Sequence, residues 1–532
     1  MAQARSTDTL IEQLQHLLDP SQVAVDEATI ALMSQDVYCR GEPVCVVVSP
    51  TTTEQLSQVV TICAEAGQAV VARGGGMSYT AGYLATQAGT VLVDMSAMNQ
   101  VLEINQEDMY VKVQSGCTWL DLHNALKDTG LRTPFWGTLS GITATVGGGM
   151  SQNAMFWGSG RYGVSADSVI GMEVVLADGE VVVTGSGAQP NGNPFFRHFG
   201  PDLTGLFTGD TGALGMKATV TLQLIQQMDA RRYLSFAFDD YKDMISAMSE
   251  VSRQGLAMES FAFDPCLTGM RLKRESLAKD VKSLAGVMKA SGSVGGALKS
   301  GLKVALAGRK FMDDAIFSTH FMVEERVEAA AAACANDIAD ICAQRNGKAL
   351  DDSIPRILRA NPFTPLNNVV GPNGERWAPI HALVPHSKAA LVTGQIQDLE
   401  KREAATIEKH NIEVGYLFAT VSTSCFLLEP VFFWPDAMAE LHDLTVEPSV
   451  RKRMTGFDEN LEARAEVDRL RSAMVDIFAA VGAVHFQVGK TYPLSAVNPR
   501  TWKALVDIKD ALDPAHRMNP GSLGLGNENP NA

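Results

Sequence analysis

Across the first 225 or so residues, short β-branched runs alternate with stretches whose apolar positions recur at helical spacing. Residues 44–48 read as a strand, 53–66 as an amphipathic helix and 69–72 as a second strand. The stretch MEVVLADGEVVV at 172–183 predicts two strands joined at Asp178-Gly179, because Asp-Gly tolerates the positive φ of a tight hairpin. From about residue 234 to 480 the texture changes. Longer helical patterns at 323–342 and 388–409 interleave with apolar strands, and the uncharged run 414–428 suits a buried strand. The final stretch, with DPAHRMNPG at 513–521, reads as helix, turn and tail. These patterns predict an α+β chain in three parts: a first domain at 1–225, a second at 226–480 and a C-terminal segment at 481–532.

The chain has 532 residues, 46% hydrophobic and 20% charged, which is enough apolar material for more than one core. Its net charge of −16 argues against a nucleic-acid binder, which needs a basic face. The eight cysteines are scattered, with no C-x-x-C and no C-x-x-C-H, so a disulfide framework, a zinc site and an attached c-type haem are not expected. No apolar run is long enough for a bilayer helix, and the start MAQARSTDTLIEQL lacks an apolar core, so a cytoplasmic location is expected.

One segment departs from the average charge. Residues 271–310 carry ten Lys or Arg and two acids, with Leu284, Val287, Met288, Leu298, Leu302 and Leu306 at helical spacing. A solvated helical excursion of the second domain fits this basic insertion. So does an amphipathic pair touching the inner face of an anionic membrane or an acidic electron carrier.

The chemistry-bearing motifs are two glycine loops. The strand at 69–72 runs into Arg73-Gly74-Gly75-Gly76-Met77-Ser78, where three consecutive glycines permit positive φ and leave amides uncovered, as a diphosphate cradle requires. A second cluster, Thr145-Val146-Gly147-Gly148-Gly149-Met150-Ser151-Gln152-Asn153, follows some 70 residues on. Two such loops in one α+β domain predict an elongated ligand with a central diphosphate, and a dinucleotide fits best. Gly158 to Gly163 formally matches G-x-G-x-x-G, but polar loop precedes it and strands follow, so no Rossmann site is expected there.

In order, R-G-G-G-M-S, T-V-G-G-G-M-S-Q-N-A, R-Y-G, G-M-E-V-V-L-A-D-G-E, G-D-T-G-A-L-G and D-P-x-x-x-M-N-P-G resemble the vanillyl-alcohol oxidase/p-cresol methylhydroxylase superfamily of FAD flavoproteins. The resemblance covers about 40–225 and 475–525. It implies a two-lobed PCMH-type FAD-binding domain, a cap domain with an antiparallel sheet, and a C-terminal segment returning to the flavin. It implies further that Arg73 to Ser78 lie on the FAD diphosphate. Thr145, Gly147, Gly148, Ser151 and Asn153 would line the second loop, Ile170 would offer its backbone to the adenine, and Asn519 would sit near the ring system. Many relatives place a flavin-linking His where this chain has Met77, so dissociable FAD is expected.

Two branches of that superfamily remain open. VTGSGA, FGPDLTGLF and Trp377-Ala378-Pro379-Ile380 are similar to the phenol-oxidising branch, where Tyr and Arg activate a phenolate; Tyr416 and Tyr492 are the tyrosine candidates. Val484 to Lys490 resembles a stretch of the D-lactate dehydrogenase and glycolate oxidase branch, where a histidine takes the hydroxyl proton and a cation holds the carboxylate. His485 and Lys490 would fill those roles, although a core histidine and a solvated lysine fit the same pattern. That branch's metal-binding histidine pair should fall near 415–424, where this chain reads GYLFATVSTS, and no metal site is assigned. His381 and His386 fit a cavity wall or a punctuated strand, and Phe432-Phe433-Trp434 fits core.

The expected activity is oxidation of a small 2-hydroxy acid, with a para-substituted phenol or aromatic alcohol as the alternative and a non-catalytic flavin-binding relative as a third reading. Oxygen, a quinone or a separate carrier protein are the electron acceptors left open, and a homo-oligomeric assembly is expected.

Overall fold

The valine-rich strands of the first 100 residues build a four-stranded sheet in the order Val23–Ala24, Val46–Val48, Val91–Asp94, Val70–Arg73, the last three parallel. The structure, a computed structural model, describes residues 2–274, 317–492 and 494–526. The helix Thr53–Glu65 packs on this sheet, started by the Thr52 hydroxyl accepting from the Gln55 amide at 3.1 Å. Leu56, Val59, Val60 and Cys63 fall at helical spacing on one face and are buried with Val46, Val48, Val70, Val91 and Val93.

A second, antiparallel sheet orders Val101–Asn105, Tyr110–Gln114, Met216–Gln223, Val169–Val175 and Val181–Val183. Its last two strands are the expected hairpin, with Gly179 at φ +90°. The connection is wider than a two-residue turn, because Leu176 and Glu180 close it through an N–H···O bond of 2.9 Å and the Asp178 carboxylate accepts from the Glu180 amide.

The chain divides into two units. The first comprises Met1–Phe156, Val164–Gln227 and Phe486–Ala532, so the C-terminal segment folds with the first two sheets. The second comprises Trp157–Gly163 and Met228–His485. It is built on an eight-stranded sheet in the order Lys348–Leu350, Ala230–Phe238, Phe317–Glu325, Glu259–Phe263, Glu413–Val421, Cys425–Trp434, Arg376–Pro379, with Ala382–Pro385 also pairing Cys425–Trp434. The ladders are antiparallel.

Two expected elements differ here. The pattern at 323–342 begins in a strand: Val323 pairs with Arg232 and is fully buried, and the helix runs Glu328–Ala343. The run 414–428 is two strands, reversing at Ser422 (φ +54°) so that Val421 faces Cys425. The Ser-Thr-Ser turn carries no charge, Gly or Pro to mark the reversal in the pattern. Phe432, Phe433 and Trp434 are core.

The short helix Ser159–Tyr162 explains the G-x-G-x-x-G match, since a Cβ on Gly160 would strike the Met258 carbonyl oxygen; the glycine serves close packing. The basic insertion lies outside the described residues from 275 onward. Among the described residues, no helix is long and apolar enough to cross a membrane.

Candidate cofactor site

The strand Val70–Arg73 delivers the chain into the first glycine loop, and the second loop passes directly against it. A Cβ on Gly74 would meet the Thr145 hydroxyl, and one on Gly75 the Thr143 carbonyl. Gly76 has φ +72°, and a Cβ there would strike the Arg73 guanidinium folded beneath it. Arg73 is buried and lies 5.5 Å from the centroid of the Tyr83 ring.

The loop's carbonyls are tied back to the protein. Tyr83 donates its hydroxyl to Gly76 O at 3.1 Å, and the Val37 amide donates to Ser78 O at 3.1 Å. Its amides are not: no acceptor among the described residues takes the N–H of Gly75, Gly76, Met77 or Ser78. Four successive uncovered donors form an anion-binding concavity.

The second loop contributes differently. Thr145 starts the helix Val146–Gln152 by accepting from the Gly148 amide at 3.1 Å, while the Val146 and Gly147 amides donate to Cys117 O and Ser115 O, both at 2.8 Å. Its donors are spent on protein. Its glycines instead permit close approach, with Gly147 against Ser115 and Gly149 against the Trp119 indole. The expectation of two equivalent amide cradles is thereby corrected to one cradle and one close wall. Asn153, at φ +50°, closes the helix.

Between the loops lies a cavity open to solvent. Of the residues expected there, Gly74, Gly75, Gly76, Met77, Ser78, Thr145, Gly147, Gly148 and Ser151 line it. The sequence reading missed Ser115, Trp119, Gln152, Thr211, Lys217 and Gln487, which also line it and belong to no glycine motif. Four of these hold buried polar atoms without a protein partner: Ser115 Oγ, Trp119 Nε1, Gln152 Oε1 and Thr211 Oγ1. Such atoms are costly unless a ligand or water meets them. Together with the four uncovered amides they fit an elongated, hydrogen-bond-rich anion such as FAD. Lys217 is fully buried against Asp210; burial lowers its pKa and the carboxylate opposes that shift.

Arg73, Asn153, Ile170 and Asn519 do not line the cavity. The Ile170 carbonyl instead packs against Gly185. The Asn519 side chain donates to Gly82 O at 2.8 Å and Thr211 O at 2.6 Å, so its amide is spent on the cavity's rim. Lys490 is in the same network, its Nζ 2.8 Å from Asn519 Oδ1, 3.1 Å from Gly82 O and 3.4 Å from Ala81 O and from Ser522 Oγ. With its ammonium protons taken by protein acceptors, Lys490 braces a loop rather than offering a cation to a carboxylate. Tyr492 is buried in the first unit, its amide on Val488 O at 3.3 Å.

The other two candidates lie in the second unit. His485 donates Nδ1–H to the His381 carbonyl at 2.7 Å, and burial lowers its pKa to about 4. The ring is therefore neutral near pH 7 with Nε2 unprotonated. The fully buried His381 stands edge-on to it, centroids 5.9 Å apart, and burial holds His381 well below 6.5. Tyr416 donates its hydroxyl to Glu400 and is held by burial far above the ordinary tyrosine range, which disfavours a phenolate. His386 donates Nε2–H to Thr423 O at 3.1 Å. Among the described residues, no cluster of three or more His, Cys, Asp or Glu is placed to hold a metal.

Comparison with known proteins agrees with this geometry. Residues 44–185 match the family described as FAD binding domain, and residues 480–523 match the C-terminal domain of FAD linked oxidases. The chain is 32% identical over 205 residues to the glycolate oxidase subunit GlcD of Bacillus subtilis, covering 38% of this chain and 42% of that protein. It is 31% identical over 217 residues to a mitochondrial D-lactate dehydrogenase [cytochrome] of Saccharomyces cerevisiae, covering 40% and 35%. The matches thus span less than half the length of these relatives. In fold, the chain is similar to p-cresol methylhydroxylase with substrate bound, at TM-score 0.73 and 18% identity over 98% of this chain and 97% of that one. It is similar also to a 4-ethylphenol oxidase of Gulosibacter chungangensis, at TM-score 0.68 and 19% identity over 99% and 98%.

Proposed function

We propose that this chain, which carries the FAD binding domain and the C-terminal domain of the FAD-linked oxidases, is an FAD-dependent oxidoreductase that oxidises a small 2-hydroxy acid. Bound FAD supplies the two-electron acceptor for a hydride leaving the hydroxylated carbon. The protein's part is to bind, orient and move a proton. The amides of Gly75 to Ser78 receive the diphosphate, with Arg73 charge beneath them. The partnerless atoms of Ser115, Trp119, Gln152 and Thr211 take up the cofactor's remaining polar groups. Met77 stands in the first glycine loop, where the family resemblance implies a flavin-linking His, and a thioether cannot make a histidyl bond, so FAD is held there without a covalent link.

The observation carrying the reading is the tautomer of His485. With Nδ1–H fixed on the His381 carbonyl and the ring neutral, Nε2 is the nitrogen without a proton and so the one that would serve as base for the substrate hydroxyl. The relatives named glycolate oxidase and D-lactate dehydrogenase support the choice of substrate class.

Anaerobic mixing of the FAD-loaded protein with D-lactate, glycolate, D-2-hydroxyglutarate, vanillyl alcohol and 4-alkylphenols tests this. Bleaching of the flavin's visible absorbance by a 2-hydroxy acid is the expected result. Bleaching by phenols alone overturns the substrate class, and no bleaching by any of them overturns the enzyme.

A further inference from the structure

We propose that Lys490 is a positioning residue for FAD: its ammonium orients Asn519, and Asn519 fixes the walls of the cavity. This rests on the FAD reading above and concerns how the site keeps its shape.

Asn519 joins three segments. Its backbone amide donates to Val70 O at 2.8 Å, at the start of the strand leading into the first glycine loop. Its Nδ2 donates to Gly82 O and Thr211 O, and both of those residues line the cavity. An asparagine side chain makes these two donations only with its oxygen turned the other way, and the flip is decided by what meets that oxygen. Here it meets Lys490 Nζ at 2.8 Å. An ammonium can only donate, so it admits Oδ1 and rejects Nδ2. Without it, the two amide orientations lose their discrimination.

The lysine is itself held in place. Its backbone amide donates to Thr80 O at 2.8 Å, and Gly489, at φ +56°, lies so close to Thr80 that a Cβ would strike the carbonyl. Its ammonium also reaches Ala81 O, Gly82 O and Ser522 Oγ. One cation therefore gathers the exit of the first loop and the C-terminal segment.

The charged form does this work, and burial has brought its pKa down to about 7. The charged and titratable groups facing it are the Asp36 carboxylate and the Cys39 thiol, both acting to raise that value. Tyr83, nearby on the loop, is kept neutral by burial. The clamp is thus complete below about pH 7 and weakens above it, so FAD affinity should fall as pH rises through that range.

The test is FAD binding to apoprotein, followed by quenching of flavin fluorescence, for wild type and Lys490→Met from about pH 6 to about pH 8.5. Wild type is expected to weaken across the range. Lys490→Met is expected to bind about tenfold to a hundredfold more weakly at the acidic end, with a flat profile. Should Lys490→Met fail to fold, the wild-type profile decides, with Asn519→Ala expected to flatten it in the same way. Wild type that binds FAD with equal affinity throughout overturns this inference alone, as does a Lys490→Met protein that matches wild type. Wild type that takes up no FAD at any pH overturns the cofactor reading, and this inference with it.

Discussion

The Nδ1 nitrogen of His485 lies 2.7 Å from the carbonyl oxygen of His381, and that one bond settles which side of the imidazole carries a proton. The backbone pairing of Leu383 with Val484, two N–H···O bonds of 2.8 and 3.0 Å, holds both residues in register. A main-chain acceptor cannot titrate, so the tautomer does not vary with pH.

His485→Ala removes the accepting nitrogen. Substrate-driven flavin bleaching in stopped flow is expected to slow by about 10²- to 10⁴-fold, while flavin bound per chain is unchanged. A variant as fast as wild type would place the base elsewhere.

The wild-type rate should show no loss of base through the neutral range. Because the folded pKa is about 4, the unprotonated ring predominates above it, and the rate should fall only as pH drops toward that value. A limb centred near the ordinary histidine value would contradict the buried, neutral ring.

Gly75→Ala places a Cβ against the Thr143 carbonyl, so one of the two loops must shift. Flavin retained after desalting is expected to drop sharply. Gly269→Ala, where nothing lies within 4 Å of the added Cβ, should retain full flavin.

Precipitating the holoprotein with acid should leave all flavin in the supernatant. Flavin remaining with the washed pellet would reveal an attachment that Met77 cannot make.

In the second unit, burial raises Glu400 from 4.5 to about 7 and Asp264 from 3.8 to about 6. The folded state therefore keeps protons that the unfolded chain has released, and stability falls as pH rises from about 4 to about 7, then levels off. Glu400→Gln, neutral at every pH, should flatten part of that slope, read as melting temperature against pH, with a gain of a few degrees on the alkaline side. An unchanged slope would mean that Glu400 ionises freely.

The glycine loops were legible because close backbone approach forbids a side chain, and that prohibition is written in the sequence as Gly. The strands at 46–48 and 70–73 and the helix 53–65 were legible because each buries one periodic face. Ser115, Trp119 and Thr211 were not, since nothing local distinguishes a serine facing a cavity from one facing water. In sequence Lys490 fits a cation for substrate or a solvated lysine equally, and only the positions of Gly82 and Asn519, remote from it in sequence, reveal where its protons go. The boundary at 323–328 was missed because two buried elements of different period abut without a polar gap.

The excursion of Trp157–Gly163 into the second unit, and the return of Phe486 to the first, have a bearing on biosynthesis. Arg73 leaves the ribosome more than 440 residues before Asn519, the residue that will tie its strand to the opposite rim. The first unit stays unfinished until the segment carrying Asn519 has emerged, so cofactor loading waits for that segment to be made. For the same reason, a fragment cut at residues 228 and 485 would lack Arg161, whose guanidinium pairs with Glu325 at 2.6 Å, and would be an unfaithful stand-in for the second unit.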